Sequence, residues 1–102
     1  MYYLQRTREF DRWLRRLRDM RAKARILARL RSAEHGNLGD AQPVGSGISE
    51  LRIHHGSGYR VYYKRVGKVV LLILCGGNKS TQDKDILKAR SLVTKYEDTD
   101  DD

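Results

Sequence analysis

A chain of 102 residues, 39% of them hydrophobic, is long enough for one domain with a modest core. The formal net charge of the whole chain is +8, but five acidic residues lie within residues 97–102. Residues 1–96 alone hold 21 basic and 8 acidic residues, which gives them a formal net charge of +13. This charge attracts polyanions, nucleic acid above all, although it can also serve solubility alone. The single cysteine, Cys75, excludes a disulfide framework and a cysteine-rich zinc site within one chain. No signal sequence and no apolar stretch near the roughly 20 residues that span a bilayer is present, so we expect a cytoplasmic protein.

The first third of the chain predicts a short strand and a helical hairpin. Residues 2–4 are aromatic and apolar, as in a strand, and Thr7 can cap the helix that follows. Apolar residues recur at helical spacing in that helix: Phe10, Trp13, Leu14 and Leu17. Asp19 is expected to cap a second helix that ends at Gly36 and has its own stripe: Ile26, Leu27, Leu30 and Ala33. The outer faces of the hairpin then carry basic residues: Arg12, Arg15, Arg16, Arg18, Arg21, Lys23, Arg25, Arg29 and Arg31.

The middle of the chain predicts a loop and then three strands. Residues 36–47 hold four glycines and the only proline, which is typical of a loop. Apolar and polar residues then alternate around Leu51 and Ile53 and again over residues 59–64, and residues 69–75 form a continuous apolar run. Short turns make these strands antiparallel neighbours, and Gly76-Gly77 is expected to end the sheet.

A last helix follows the strands, with Ser80 or Thr81 as its cap. Its inward residues are expected to be Ile86, Ala89, Leu92, Val93 and Tyr96. We therefore predict an α+β fold in which a helical hairpin packs on a mainly antiparallel four-stranded sheet, with a C-terminal helix. Residues 1–96 would form a single domain, and residues 97–102 an acidic, disordered tail.

The predicted architecture creates a basic face on the sheet. The hairpin covers one sheet face, which leaves the opposite face partly open. A period of two places a set of polar and aromatic residues together on one side: Arg52, His54, Arg60, Tyr62 and Lys64. The sequence thus predicts a basic surface with an aromatic member.

These residue types suit the cleavage of RNA. Attack by a ribose 2′-OH needs a base, a cation for the phosphorane charge and an acid for the leaving oxygen, and no metal. Arg52 and Arg60 offer forked donors for a phosphate, and Glu50 or His54 could transfer protons. RNA contacts are predicted at Lys79, Tyr62, Lys64 and Lys84, by charge or by stacking.

Each of these residues also has a structural interpretation. Arg52 and Arg60 could simply pair with Glu50 across the strands, His54 could be a solvated turn residue, and Tyr62 could only shield the sheet. No Cys, His or carboxylate spacing predicts a metal site. The segment at residues 76–81, GGNKST, resembles a phosphate-binding turn but lacks the full spacing of a nucleotide P-loop, so no cofactor is predicted.

Three blocks of sequence together resemble a known toxin family. They are GISELRI at residues 47–53, GSGYRVYY at residues 56–63 and GGNKSTQDKDI at residues 76–86. The combination resembles the phage-derived, HigB-like addiction module killer proteins of the RelE/ParE superfamily, over nearly the whole chain up to Tyr96. The resemblance implies a RelE/ParE-like fold and a toxin encoded beside an antitoxin, usually one with a helix-turn-helix domain.

The resemblance also implies an activity and a competitor to it. RelE-like and HigB-like members enter the ribosomal A site and cleave mRNA without a metal, and Arg60 matches a catalytic arginine of RelE-type toxins. Arg52 falls on the strand that carries basic active-site residues, and Glu50 and His54 lie near positions used as acid or base. ParE-type members share the fold but inhibit DNA gyrase by protein binding. A non-catalytic RNA-binding module is the third alternative.

Overall fold

A computed structural model describes residues 1–98, in which five strands and three α-helices are found. In chain order they are β1 (Tyr3–Arg6), α1 (Arg8–Arg16), α2 (Met20–Glu34), β2 (Ala41–Gly45), β3 (Ile48–Ile53), β4 (Tyr59–Val66), β5 (Val70–Asn78) and α3 (Gln82–Asp98). A short 3-10 helix at Lys79–Thr81 leads into α3. The predicted α+β class with a C-terminal helix is confirmed.

The strands form one sheet in the order β1-β5-β4-β3-β2. Only β1 and β5 run parallel, and the other neighbours are antiparallel. The sheet has five strands instead of the predicted four, because β2 lies inside the segment predicted as a loop. This strand is at the sheet edge, where Pro43 needs no ladder partner for its missing N–H group.

Side-chain caps start both helices of the hairpin, as predicted. The hydroxyl of Thr7 accepts a hydrogen bond from the backbone N–H of Phe10 (3.0 Å) and donates one to the carbonyl of Leu74 in β5 (2.6 Å). Asp19 accepts bonds from the N–H groups of Arg21 and Ala22, both at 3.1 Å. Gly36 follows α2 with a φ of 94°, a conformation that suits glycine.

Helices cover both faces of the sheet. The hairpin buries the larger apolar cluster, which includes Phe10, Leu14, Ile26, Leu30, Leu51, Val61 and Ile73. On the opposite face, α3 buries a second cluster with Ile48, Tyr62, Leu72, Leu74, Cys75, Ala89 and Leu92. The expectation of a partly open second face is therefore wrong, because the apolar stripe of α3 packs there.

The two glycines predicted to end the sheet lie within β5 and are both buried. A Cβ atom on Gly76 would lie 2.4 Å from the ring of Trp13, and one on Gly77 would lie 1.7 Å from a carboxylate oxygen of Asp85. The absence of side chains at these two positions therefore allows α1 and α3 to approach β5 closely from opposite faces.

The end of the chain differs from the prediction in one respect. Helix α3 continues through residues 97 and 98, and Glu97 forms a 2.6 Å ion pair with Lys64. The rest of the predicted tail, residues 99–102, lies outside the described residues. Within residues 1–98, no helix combines the length and the apolar character needed to cross a membrane.

Candidate functional site

Two arginines face each other on adjacent central strands. The antiparallel register of β3 and β4 places Arg52 directly opposite Arg60. Like charges in this position repel, so the pair needs a compensating group. Glu50, two residues earlier in β3 and therefore on the same sheet face, provides it. Its carboxylate accepts a hydrogen bond from Nε of Arg52 (2.9 Å) and lies 3.3 Å from Nε of Arg60.

Helix α3 adds a fourth residue to this group. The Nε2 amide of Gln82, the first residue of α3, donates a 3.0 Å hydrogen bond to Oε2 of Glu50. We call Glu50, Arg52, Arg60 and Gln82 the arginine cluster. Both arginines form ion pairs with Glu50, as the structural interpretation of these residues predicts.

The members of the arginine cluster differ in exposure. Glu50 is only 1% exposed, and the side chain of Arg60 is 14% exposed, whereas that of Arg52 is 38% exposed. The Nε and Nη1 atoms of Arg60 are buried without a hydrogen-bond partner among the described residues. Arg52 is thus the arginine that solvent reaches more readily, while Arg60 retains unused donors.

The arginine cluster carries two positive charges and one negative charge, and the carboxylate of Asp85 lies above Gly77, the strand partner of Arg60. Guanidinium groups stay protonated at any working pH, which suits them to stabilising phosphate charge and not to accepting a proton. The cluster can therefore supply electrostatic stabilisation in a reaction at phosphorus.

Tyr62 lies on the predicted sheet face but is fully buried. Burial raises the pKa of its hydroxyl, with a further contribution from the negative charges of Glu50 and Asp85. This hydroxyl has no hydrogen-bond partner among the described residues. The predicted stacking of Tyr62 on an RNA base is wrong for this conformation, because α3 covers the ring.

The side chain of His54 pairs with Asp40 and with no member of the arginine cluster among the described residues. Strand β3 ends at Ile53, so the alternation of faces does not extend to His54. Its Nε2 lies 2.6 Å from Oδ2 of Asp40, and this contact is the main cause of a lowered pKa of the Asp40 carboxyl. Together with Arg25 and Ser32, His54 lines a shallow pocket beside α2.

The predicted lysine contacts fall into two places. Lys79 and Lys84 are exposed and line a shallow pocket at the start of α3. The backbone N–H of Lys79 donates to the carbonyl of Gly58, two residues before Arg60 in the chain. Lys64 lies four residues further along β4 and pairs with Glu97 near the end of α3. Lys79 and Lys84 therefore share the pocket at the start of α3 with Gln82 of the arginine cluster, whereas Lys64 pairs with Glu97 at the other end of the helix.

Sequence reasoning missed two functional contacts at the start of α3. Gln82 binds Glu50, and the hydroxyl of Thr81 donates a 2.5 Å hydrogen bond to Asp85 above Gly77. Both belong to the block at residues 76–86, so the signal was present in the sequence. The partner of Gln82 could not be identified from the sequence, because the contact with Glu50 depends on where α3 packs.

The hairpin presents a separate basic surface. Seven of the nine predicted basic residues are exposed: Arg12, Arg15, Arg16, Arg18, Arg21, Arg25 and Arg31. Arg29 differs from the prediction, because its guanidinium donates to the backbone carbonyls of Arg52, Leu38 and Asp40. It therefore holds the loop before β2 against the end of β3.

The chain has a RelE-like fold. It is similar to a solved structure of a mutant of the E. coli toxin RelE in the free state, with a TM-score of 0.64 and 17% identity. The likeness covers 93% of this chain and 96% of the RelE chain.

A closer relative defines the family. An uncharacterised protein of Haemophilus influenzae is 53% identical over 87 residues, which cover 85% of this chain and 88% of the relative. The chain belongs to the same family as this Haemophilus protein. No family model matches the chain.

Proposed function

We propose that this chain is the toxin of a type II toxin-antitoxin system and arrests growth as a ribosome-dependent mRNA endonuclease, an mRNA interferase. The observation that carries the proposal is the pair of arginines at Arg52 and Arg60, held on the central strands of a RelE-like fold. The formal charge of +13 over residues 1–96 and the exposed arginines of the hairpin support a nucleic-acid target.

The proposed reaction is attack of a ribose 2′-OH on the adjacent phosphate. Arg52 and Arg60 would stabilise the charge that develops on the phosphorane, with Lys79 as a further cation beside them. The 2′ oxygen loses its proton to water as it bonds to phosphorus, the bond from phosphorus to the 5′ oxygen of the next nucleotide breaks, and that oxygen takes up a proton from water, which leaves a 2′,3′-cyclic phosphate. The alignment of reacting groups by a ribosome can contribute ~7–11 kcal/mol, which would offset a sparse set of acid and base groups in the toxin.

The predicted proton-transfer groups give little support to a reaction on free RNA. His54 is paired with Asp40, and both oxygens of Glu50 already have partners. We therefore expect free RNA to be cut slowly or not at all, and translated mRNA to be cut near the A-site codon.

The proposed partners follow from the same charge distribution. A cognate antitoxin, of the helix-turn-helix type implied by the resemblance, would lay an acidic segment over the basic surface and neutralise it. The ribosome and its mRNA would be the other partners, in the cytoplasm.

A gyrase inhibitor of the ParE type is the second candidate. It is favoured by one observation: in the free chain Glu50 already pairs with both arginines, and Arg60 is mostly buried. A protein-binding inhibitor needs no accessible catalytic group, so this geometry is compatible with it.

The deciding experiment compares both activities with wild type and Arg60→Ala. In a purified translation system, primer extension should detect cleavage near the A-site codon with wild type, and about 100-fold to 1,000-fold slower cleavage with the variant. Gyrase supercoiling should continue with either protein. Intact mRNA together with blocked supercoiling would overturn the nuclease proposal in favour of the inhibitor.

A further inference from the structure

We infer that Glu50 and Gln82 are positioning residues that set the orientation of the two arginine side chains, and that Glu50 is not the general base. This inference rests on the proposed function, because it names what makes the arginines competent for phosphate chemistry. It reassigns a residue for which the sequence suggested proton transfer.

The first argument is the electrostatics of the strand pair. Arg52 and Arg60 are direct cross-strand neighbours, an arrangement that repulsion disfavours. The carboxylate of Glu50 is the buried charge between them, with Oε1 on Arg52 and Oε2 near Arg60. Without that carboxylate, the two guanidinium groups would separate toward solvent.

The second argument is the atom by which each arginine meets the carboxylate. Nε of Arg52 donates a 2.9 Å hydrogen bond to Glu50, and Nε of Arg60 lies 3.3 Å from Oε2 of Glu50 in an ion pair without hydrogen-bond geometry. Because a guanidinium is planar and rigid, fixing Nε also fixes the directions of its Nη donors. Glu50 thus orients the donor fork of Arg52 through a hydrogen bond and attracts that of Arg60 through an ion pair, and its hydrogen bonds come from Nε of Arg52 and the amide of Gln82, not from terminal nitrogens of the arginines.

The third argument is burial. Glu50 is 1% exposed and both of its oxygens accept hydrogen bonds, one from Arg52 and one from Gln82. A base has to reach the proton that it removes, at about 2.6–3.2 Å. A carboxylate enclosed by its partners acts through them instead.

Gln82 connects this arrangement to α3. It is the first residue of the helix, and its amide holds the Oε2 atom that faces Arg60. The position of α3 and the orientation of Arg60 are therefore coupled through a single carboxylate oxygen.

The test uses three variants of the full chain: Glu50→Gln, Gln82→Ala, and Glu97→Gln as a control. The control removes one carboxylate charge from an ion pair with Lys64, at the other end of α3. Two quantities are measured: the rate of mRNA cleavage on translating ribosomes, and the NMR signals of the arginine Nε–H groups with their hydrogen exchange.

We expect Glu50→Gln to lower kcat about 100-fold, the effect of misplacing a catalytic group, and to shift the Nε–H signals of both arginines and accelerate their exchange. Gln82→Ala should lower kcat and shift the Arg60 Nε–H signal in the same direction as Glu50→Gln does, but both effects should be smaller. Glu97→Gln should match wild type in both. The pH profile of the residual activity in Glu50→Gln should keep the shape found for wild type, since no base has been removed.

Unchanged arginine Nε–H signals in Glu50→Gln would overturn the inference, as would loss of the acidic limb of the pH profile in that variant alone. If Glu50→Gln does not fold, Gln82→Ala decides by the same criteria. If wild type itself cleaves no mRNA, the proposed function fails, while the NMR measurement still tests the positioning of the arginines.

Discussion

At the scale of single residues, the two adjacent glycines of β5 set the distance between the layers. Gly76 accommodates the ring of Trp13 on the hairpin face, and Gly77 accommodates the Asp85 carboxylate on the α3 face. Neither has a positive φ, so their role is to leave space and not to allow an unusual backbone conformation. The approach of both helices to the central sheet depends on these two missing side chains.

We predict that Gly76→Ala destabilises the fold by about 1–3 kcal/mol, because the new methyl group overlaps the indole ring of Trp13. Urea unfolding followed by far-UV circular dichroism measures this loss. A second variant tests its cause: in the Trp13→Ala background, adding Gly76→Ala should cost much less, since the clashing ring is gone. Equal costs in both backgrounds would show that the ring is not what the methyl group meets.

The sequence predicts which residues of the candidate site share a sheet face, but it does not predict how deeply each of them is buried. Alternation along the strands correctly placed Glu50, Arg52, Arg60 and Tyr62 on one sheet face. It could not reveal that Tyr62 and Glu50 are fully buried, because that depends on where α3 packs. His54 was misplaced because alternation holds only while the strand continues, and β3 ends one residue earlier.

At the scale of elements, local signals predicted the helices better than the sheet edge. Helical spacing and the caps at Thr7 and Asp19 identified α1 and α2, since those signals lie within a few consecutive residues. Strand β2 was missed because its sequence, AQPVG, has a loop composition and owes its conformation to pairing with β3. The pairing of β2 with β3 is not indicated by any pattern within the few residues of β2 itself.

A polar contact joins α1 and α3, the helices that cover opposite sheet faces. Glu9 of α1 accepts hydrogen bonds from Lys95 (2.9 Å) and from the hydroxyl of Tyr96 (3.0 Å). The bond from Lys95 is the main cause of a lowered pKa of the Glu9 carboxyl. A carboxyl whose pKa is lower in the folded state stabilises the fold above its unfolded pKa, and this stability is lost as the pH falls through the folded value.

We therefore predict a pH-dependent coupling between Glu9 and Lys95. A double-mutant cycle with Glu9→Gln and Lys95→Met should give a favourable coupling free energy at pH 7, which the exposure of Lys95 to solvent keeps small. The coupling should decline as the pH falls through the lowered pKa of the Glu9 carboxyl, because protonation removes its charge. Urea unfolding of the four proteins at several pH values measures it. A coupling that stayed constant while the Glu9 carboxyl became protonated would mean that packing, and not charge, links the two side chains.

At the scale of the whole molecule, two of its cationic surfaces differ in structure. The arginine cluster is largely enclosed and held by a carboxylate, whereas the arginines of the hairpin are exposed on two helices. An enclosed and oriented pair suits one phosphate at a defined place. An exposed array suits a long polyanion, for which distance and number of charges matter more than orientation.

This difference predicts how ribosome association depends on salt. Replacing three exposed hairpin arginines with glutamine, at Arg15, Arg18 and Arg25, should lower the slope of log K against log salt by about one for each phosphate contact removed. A matched variant removes the same charge elsewhere, at the exposed Lys68, Lys88 and Arg90. Because association with ribosomal RNA depends on charges that contact phosphates, the matched variant should keep nearly the wild-type slope. Sedimentation with ribosomes over a series of potassium chloride concentrations gives both slopes. Equal slopes for the two variants would mean that net charge alone drives association, and that the hairpin is not the surface that meets the ribosome.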